Sequence, residues 1–257
     1  MRQDVPGSGS NQALARGLHV LRALVEHGEP LTATQIAHQF GLHQSSISRI
    51  LATLTEGGYV RKNSRGRFTP DFGLLSLASA TTPQFPLITK PRAAMTEIAD
   101  ATPGYTASLC MLWNGQLIYF LRTTQSAPAV DFWASDFPIH LSAPGLRMLV
   151  DLPREEALGL LRQSRERFGW TGNAEVVPST EEEVLDWARE HVAHDVLVLS
   201  GWNHAGESGA AIPIDQPEES HPLALALTGV DRPEVDAATL RLLLHDGRRL
   251  VENALRV

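Results

Sequence analysis

The sequence has one cysteine, Cys110, among 257 residues. A single cysteine excludes an internal disulfide and a zinc cluster built from cysteines. No run approaches the roughly 18 apolar residues of a membrane-spanning helix, and the first residues are polar, without the apolar core of a signal peptide. We therefore expect a cytoplasmic protein that does not associate with membranes.

Recognisable catalytic motifs are also missing. The sequence contains no G-x-S-x-G elbow, phosphate-binding Walker loop, G-x-G-x-x-G turn or H-E-x-x-H pair, so we expect neither an enzyme nor a bound cofactor. The best metal candidates are His191, His194 and Asp195, whose spacing could place two imidazoles on one helix face. Their helix is predicted to end there, and histidines often interact favourably with a helix C-terminus. We prefer that interpretation and predict no metal site.

Charge is divided unevenly along the chain. The net charge is −7, yet residues 43–70 contain five Lys or Arg and one acidic residue. Basic charge gathered on one segment of an acidic chain is typical of a nucleic-acid-binding surface.

That basic segment lies in the pattern helix, turn, helix, hairpin, from Leu31 to Thr69. Thr32 and Gln35 have the spacing of a capping box, which predicts the start of a short helix. The second helix has an apolar stripe with helical spacing, formed by Ile47, Ile50, Leu51 and Leu54. Gly57 and Gly58 end it, and the strands that follow flank the basic, turn-forming residues 62–66.

The outward face of the second helix carries small or hydrogen-bonding side chains and one guanidinium, as a helix in a DNA major groove requires. A purely structural helical hairpin is the alternative, and the basic hairpin favours a DNA-binding winged helix over it. The predicted DNA-binding residues are Thr32, Gln44, Ser45, Ser46, Ser48, Arg49, Lys62, Arg65 and Arg67.

Residues 14–78 resemble the isocitrate-lyase-regulator (IclR) type of bacterial transcriptional regulators. Ser45-Ser46-Ile47-Ser48-Arg49 is similar to the family's recognition run, and Gly58-Tyr59-Val60 is similar to its entry into the wing. The resemblance implies a second, effector-binding domain and a ligand-responsive regulator, expected to act as a repressor.

Strand-like hairpins mixed with helices predict an α+β fold with a mixed or antiparallel sheet. The resemblance implies that a GAF-like domain follows the winged helix-turn-helix. Asn114-Gly115, between two strand-like runs, predicts a tight hairpin turn, and Ser179 with Glu182 suggests a capping box. We expect a flexible arm over residues 1–10, a DNA-binding domain over 11–69, a linker helix over 70–82 and an effector-binding domain over 83–257. On the first helix, Leu14, Leu18, Leu21 and Val25 share one face.

Three segments of the second domain are similar to the family's effector pocket: Phe137 to Gly145, Ala210 to Ile214, and Ala226 to Gly229. The loop entering a helix at 143–146 would present backbone N–H groups to a carboxylate. Tryptophans could form flat apolar walls, with core packing as the alternative. The predicted effector-binding residues are Trp133, Ala143, Pro144, Gly145, Trp202, Ala210, Ala226 and Thr228.

The sequence thus predicts a regulator that binds double-stranded operator DNA as a homodimer or tetramer and senses a small organic or aromatic acid. Two alternatives remain open. One is an architectural DNA-binding protein whose second domain only oligomerises, and the other is an enzyme with a helical docking module.

Overall fold

The computed structural model describes residues 12–126, 137–217, 219–232 and 235–256. The chain divides into two compact units between Gln84 and Phe85, and the predicted flexible arm and Trp133 lie outside the described residues. No helix within the described residues is both long enough and apolar enough to cross a membrane.

The N-terminal unit is a winged helix followed by one more helix. Its elements are α1 (Gln12–His27), α2 (Ala33–Phe40), α3 (Gln44–Glu56), β1 (Val60–Lys62), β2 (Phe68–Pro70) and α4 (Phe72–Thr81), with a 3₁₀ turn at Thr82–Gln84. The two strands pair antiparallel, with Lys62 opposite Phe68. The predicted basic hairpin is therefore present.

The start of α2 is fixed by local chemistry. Thr32 accepts a hydrogen bond from the Gln35 amide at 3.2 Å, and the Gln35 side chain accepts one from the Thr32 amide at 2.9 Å. This reciprocal pair confirms the capping box predicted from the sequence. Gly41 ends the helix in the left-handed conformation, with φ at 60°.

The first helix has two apolar faces. Val20 and Leu24 are buried against α2, α3 and β1 in the core of the unit, whereas Leu14, Leu18 and Val25 are more than half exposed. The stripe read from the sequence is thus mainly the solvent-facing one. Apolar spacing alone could not tell which of the two faces meets the core.

The C-terminal unit is an antiparallel sheet between two layers of helices. Its elements are α5 (Pro86–Thr89), α6 (Arg92–Ala101), β3 (Tyr105–Trp113), β4 (Gln116–Thr123), a 3₁₀ turn (Ile139–Leu141), α7 (Ala143–Val150), α8 (Arg154–Phe168), α9 (Glu181–His191), β5 (Leu197–Ser200), β6 (Glu207–Ile214), β7 (Leu223–Val230) and α10 (Ala237–Arg256).

The five strands lie in the order β4-β3-β7-β6-β5, and every neighbouring pair is antiparallel. One apolar core joins one sheet face to α7, α8 and α9, and a second core joins the other face to α5, α6 and α10. This architecture confirms the predicted α+β class with an antiparallel sheet. The β3–β4 hairpin turns at Asn114 and Gly115, both with positive φ, as the Asn-Gly pair predicted.

The capping box of α9 is one residue later than predicted. Thr180, rather than Ser179, is the N-cap and accepts from the Glu183 amide at 3.2 Å. Ser179 instead donates its amide to the Glu183 carboxylate at 3.0 Å. Ser179 and Thr180 can both cap a helix, so the pattern predicts the N-cap only to within one position.

Candidate nucleic-acid interface and ligand cavity

A concave surface of the winged helix is formed by the start of α2, the outward face of α3 and the wing. We call it the reading surface; it is lined by Thr32, Ala33, Thr34, Gln44, Ser48, Ala52, Thr55, Lys62, Gly66 and Phe68. The α3 members recur every three or four residues, so they occupy one helix face. Four of the nine predicted DNA-binding residues meet here. Ala52 lies on the outward face predicted for α3, and helical spacing from Gln44 could also have identified Thr55. The other lining residues that were not predicted to bind DNA are Ala33, Thr34, Gly66 and Phe68.

The other predicted residues of α3 do not line the reading surface. Ser45 is exposed near the helix N-terminus. Ser46 and Arg49 line a separate groove between α1 and α3. Helix α3 therefore presents polar groups over a wider arc than the reading surface alone.

The wing tip is shaped by Asn63. Its side-chain oxygen accepts hydrogen bonds from the amides of Arg65 and Arg67, both at 3.0 Å, and Gly66 turns the chain with φ at 74°. The side chain of Arg65 is exposed. Arg67 Nη1 donates to the Pro30 carbonyl at 3.2 Å, so this arginine also anchors the wing to the loop before α2.

A cavity of about 280 Å³ lies in the C-terminal unit, between one face of the sheet, the start of α7 and the loop after β5. Its lining residues are Thr106, Ser108, Tyr119, Arg122, Phe137, Leu141, Ser142, Ala143, Pro144, Leu199, Trp202, Asn203, Glu207, Gly209 and Thr228. A space of this size suits a ligand with a single ring, since pockets for drug-sized ligands measure about 300–1,000 Å³.

Hydroxyl groups meet where α7 enters the cavity. Tyr119 and Ser142 lie 3.0 Å apart, oxygen to oxygen, and Ser142 caps α7 by accepting from the Gly145 amide at 3.1 Å. Burial raises the pKa of Tyr119 far above its ordinary value, although the Ser142 hydrogen bond and the Arg122 charge oppose that rise. The phenol therefore stays protonated and can donate.

The helix N-terminus offers fewer N–H groups than expected. Pro144 has no N–H, and the Gly145 amide is already bonded to Ser142. Of the first three residues of α7, only Ala143 keeps an amide without such a partner. Side chains, rather than the helix end, must therefore supply most of the polar contacts to a ligand.

The predicted effector-binding residues divide into two groups. Ala143, Pro144, Trp202 and Thr228 line the cavity. Ala226 lies on the same sheet face, within the core beneath it. Gly145 and Ala210 do not line it.

Close packing explains the position of Gly145. A side chain there would approach the Ile139 methyl group and the Ser142 Cβ to 3.2 Å. Ala210 points to the opposite face of the sheet, in the core shared with α6 and α10, and its neighbour Gly209 lines the cavity instead. Because alternate residues of a strand face opposite ways, the prediction for β6 was out of phase by one residue.

The charged lining residues were missed at the sequence level. Among the described residues that line the cavity, Arg122 is the cationic side chain and Glu207 the anionic one. Arg122 lies on one of the strand-like runs beside Asn114-Gly115, whereas Glu207 begins β6 ahead of the segment predicted there. That both line one cavity depends on how the strands are ordered in the sheet. Side chains alternate between the two faces of a strand. The two charged residues could therefore have been predicted only if a neighbouring residue had been assigned to the correct face.

The segment before α7 is held by His140, which is fully buried. Its Nε2 lies 3.0 Å from the Thr171 carbonyl, and its ring stacks on Trp170 with centroids 4.1 Å apart. Burial is the main cause that lowers the pKa of His140. The neutral ring thus fixes the cavity-lining segment to the loop after α8.

The metal candidates from the sequence have other contacts. His191 Nδ1 lies 2.8 Å from the Trp187 carbonyl, and the Asp195 carboxylate lies 3.4 Å from Arg248 Nη1. His194 uses its carbonyl to meet His245 Nε2 at 2.9 Å. Within the ranges that the structure describes, no group of three metal-binding side chains is present.

Comparison with known proteins matches residues 13–64 to the IclR helix-turn-helix domain. These residues include α2, α3 and the first strand of the wing, which supply most of the reading surface. Residues 13–64 therefore form a helix-turn-helix of the IclR type. Curated relatives of the chain are named as transcriptional regulators, in agreement with the sequence prediction that the chain is not an enzyme.

Two curated relatives match part of the chain. An HTH-type transcriptional regulator of Mycobacterium tuberculosis is 29% identical over 153 residues, which cover 58% of this chain and 57% of that protein. The transcriptional repressor IclR of Escherichia coli is 37% identical over 57 residues, 22% of this chain and 21% of the repressor. The chain thus aligns with little more than half of the first relative and a fifth of the second.

Two solved structures share the fold over nearly the whole chain. An IclR family transcriptional regulator from Brucella abortus has a TM-score of 0.79 at 22% identity and covers 98% of this chain and 96% of its own. An IclR homolog from Microbacterium hydrocarbonoxydans, complexed with 4-hydroxybenzoate, has a TM-score of 0.67 at 20% identity and covers 95% and 99%. These likenesses establish a common fold.

Proposed function

We propose that this IclR-type chain is a ligand-responsive transcriptional regulator that represses its targets by binding operator DNA, and that a small organic or aromatic acid is its effector. The observation that carries the proposal is the ligand-sized cavity, with polar and apolar walls, in a chain that also holds an IclR helix-turn-helix domain. The reading surface would contact base edges, and the cavity would bind the acid.

Several features support the two binding roles. The reading surface combines small side chains, hydroxyls, one amide and one lysine, a composition suited to the major groove. Arg122, Tyr119 and Ser142 line the cavity and carry donors for a carboxylate. An IclR homolog of the same fold is complexed with 4-hydroxybenzoate, and one relative is named a transcriptional repressor; both support the proposal.

We also propose that the protein acts as a homodimer or a dimer of dimers. One winged helix makes few contacts, and a two-fold pair would double them on a palindromic site. Exposed apolar residues on α1 and α4, including Leu14, Leu18 and Leu75, provide surface for such pairing. Helix α4 would also connect effector binding to DNA affinity, if the acid favours one of two states of the protein.

A DNA-binding assay with and without acids tests the proposal. Duplexes would be selected by the protein from a randomised pool, and fluorescence anisotropy would give Kd in the presence of each member of a panel of aliphatic and aromatic acids. At least one acid should change the Kd by about tenfold, which corresponds to about 1.4 kcal/mol. An architectural DNA-binding protein would show no response to any acid.

Variants at Gly209 connect that response to the cavity. A Cβ at Gly209 would meet the Ala143 Cβ at an ordinary 3.5 Å, so Gly209→Ala should still respond. Gly209→Leu would fill the cavity and should lose the response, with folding verified by circular dichroism. A Gly209→Leu protein that responds like the wild type would place the effector site elsewhere.

A further inference from the structure

The cavity carries opposite charges at two separate places. Arg122 on β4 and Glu207 on β6 both line it, and both are half-buried. The strand order β4-β3-β7-β6 puts two strands between them. A ligand in this cavity therefore meets a cation near one wall and an anion near another.

The strand register shows how far apart the two residues stand. Arg122 is opposite Ser108, and Ser108 is opposite Ala226, whereas Glu207 is opposite Val230 on the same strand β7. Arg122 and Glu207 are thus three strand spacings of about 4.8 Å apart across the sheet, and four residues of about 3.4 Å each along it. They mark opposite corners of the cavity.

The Arg122 corner is equipped to bind a carboxylate. Tyr119 lies on the same strand and is close enough for the Arg122 charge to act on its hydroxyl, and that hydroxyl is 3.0 Å from Ser142 Oγ. A guanidinium beside two hydroxyls offers charge-assisted hydrogen bonds to an anion.

The Glu207 corner has the opposite requirement. In the described part of the chain, Glu207 hydrogen-bonds through its backbone amide and carbonyl, and no donor to its carboxylate is found. The Asn203 side chain, which can donate or accept, lines the same region. A half-buried carboxylate is costly to desolvate unless a donor or a cation meets it, so this corner favours a donating group and opposes a second acid.

The space between the corners is bounded by apolar side chains. Phe137, Pro144, Leu199 and Trp202 line it, and Trp202 is itself fixed by a tilted contact with Trp187, ring centroids 4.6 Å apart. Flat apolar walls of this kind suit the faces of one ring.

We propose that the effector is bifunctional: a single-ring or similarly sized acid with its carboxylate at Arg122 and a hydrogen-bond donor or cationic group at Glu207. Glu207 is then the residue that distinguishes such ligands from simple acids and from diacids. This inference rests on the proposed function, because it names the class of ligand that the regulator senses.

Isothermal titration of the full-length protein with three matched probes tests the inference. The probes 4-methylbenzoate, 4-(aminomethyl)benzoate and terephthalate share a ring and a carboxylate and differ only in the opposite group. The wild type should bind 4-(aminomethyl)benzoate about tenfold more tightly than 4-methylbenzoate and should bind terephthalate most weakly.

Two glutamate variants make the result specific. Glu207→Gln removes the charge while keeping the shape, so the preference for the amine should disappear and terephthalate should bind more tightly. Glu166→Gln changes an exposed glutamate of α8 that does not line the cavity, and it should keep the wild-type order.

The outcomes separate this inference from the proposed function. If all three probes bind equally and Glu207→Gln changes nothing, the bifunctional class is wrong, while acid binding stands. If none of the three binds but another acid of the panel alters DNA affinity, the assignment of the two corners is also wrong. If no acid of any kind binds, the proposed function fails and this inference fails with it.

Discussion

The amide of Gly73 donates a hydrogen bond to the carbonyl of Gly58 at 2.9 Å. Gly58 belongs to the turn that ends the recognition helix α3, and Gly73 belongs to the first turn of α4. A Cβ at position 73 would lie 2.5 Å from that carbonyl oxygen. The turn after α3 and the start of α4 are therefore in direct backbone contact, and glycine at position 73 permits it.

Gly73→Ala should consequently destabilise the winged helix. Overpacking of this kind costs about 1–3 kcal/mol, which urea unfolding followed by circular dichroism would measure. Gly159→Ala is the matched control, because a Cβ there meets nothing within 4 Å and alanine favours the helix by up to about 1 kcal/mol. Equal stability of Gly73→Ala and the wild type would show that the contact yields easily.

Arg65→Ala should weaken binding to every duplex alike. A side chain exposed at the wing tip is placed for phosphate contact, so the slope of log K against log salt should fall by about 0.9, the value for one released phosphate contact. Anisotropy titrations at several salt concentrations measure the slope. Arg249→Ala on α10 removes an equally charged, exposed side chain and should leave it unchanged. A loss confined to one sequence would contradict the phosphate assignment.

Gln44→Ala should relax discrimination at one base position. Gln44 lies on the reading surface, and an amide that pairs with a base edge contributes about 1–3 kcal/mol of discrimination. Competition between the selected duplex and single-base variants would locate the position. Gln39→Ala, an exposed glutamine of α2 outside that surface, is the control. An equal loss on random and selected duplexes would show that Gln44 does not read bases.

Leu75→Glu should dissociate the proposed oligomer. Leu75 is 64% exposed on α4, a helix with no buried residue among those described, and a charge there would oppose burial in an interface. Analytical ultracentrifugation at micromolar concentration gives the mass. Leu242→Glu, at a residue 69% exposed on α10, tests whether any exposed leucine has the same effect. A monomeric wild type would rule out the pairing.

Stability should depend on pH through His140. Burial lowers its pKa in the folded state, so the unfolded chain takes up a proton first as the pH falls. Stability should therefore be lost below about pH 6.5, the ordinary value for histidine. His140→Gln should be less stable at neutral pH, yet its stability should fall less steeply between pH 7 and 5. Parallel curves for the two proteins would exclude His140 as the cause.

Features set by short-range chemistry were predictable from the sequence. The Thr32–Gln35 capping box and the Asn114-Gly115 turn depend on residues within four positions of one another, and both occur as predicted. The basic wing is equally local. Each of these signals combines a conformational preference with a specific hydrogen bond.

Features set by the ordering of strands were not predictable. Predicting that Gly209 rather than Ala210 lines the cavity requires knowing which residues of β6 face that side of the sheet. Both side chains are too small for their hydrophobicity to show this. Arg122 and Glu207 line one cavity only because their strands belong to the same sheet, with β3 and β7 between them. The sequence shows each side chain but not its neighbours across the sheet.

The turn before β5 joins the two helical layers of the C-terminal unit. Arg147 of α7 is buried and donates to the Asp195 carbonyl at 2.6 Å, and Arg248 of α10 reaches the Asp195 carboxylate. Helix α7 covers one sheet face and α10 the other. Opening either layer would disturb the same turn, so amide hydrogen exchange should report the two cores as one cooperative unit rather than as two that open independently.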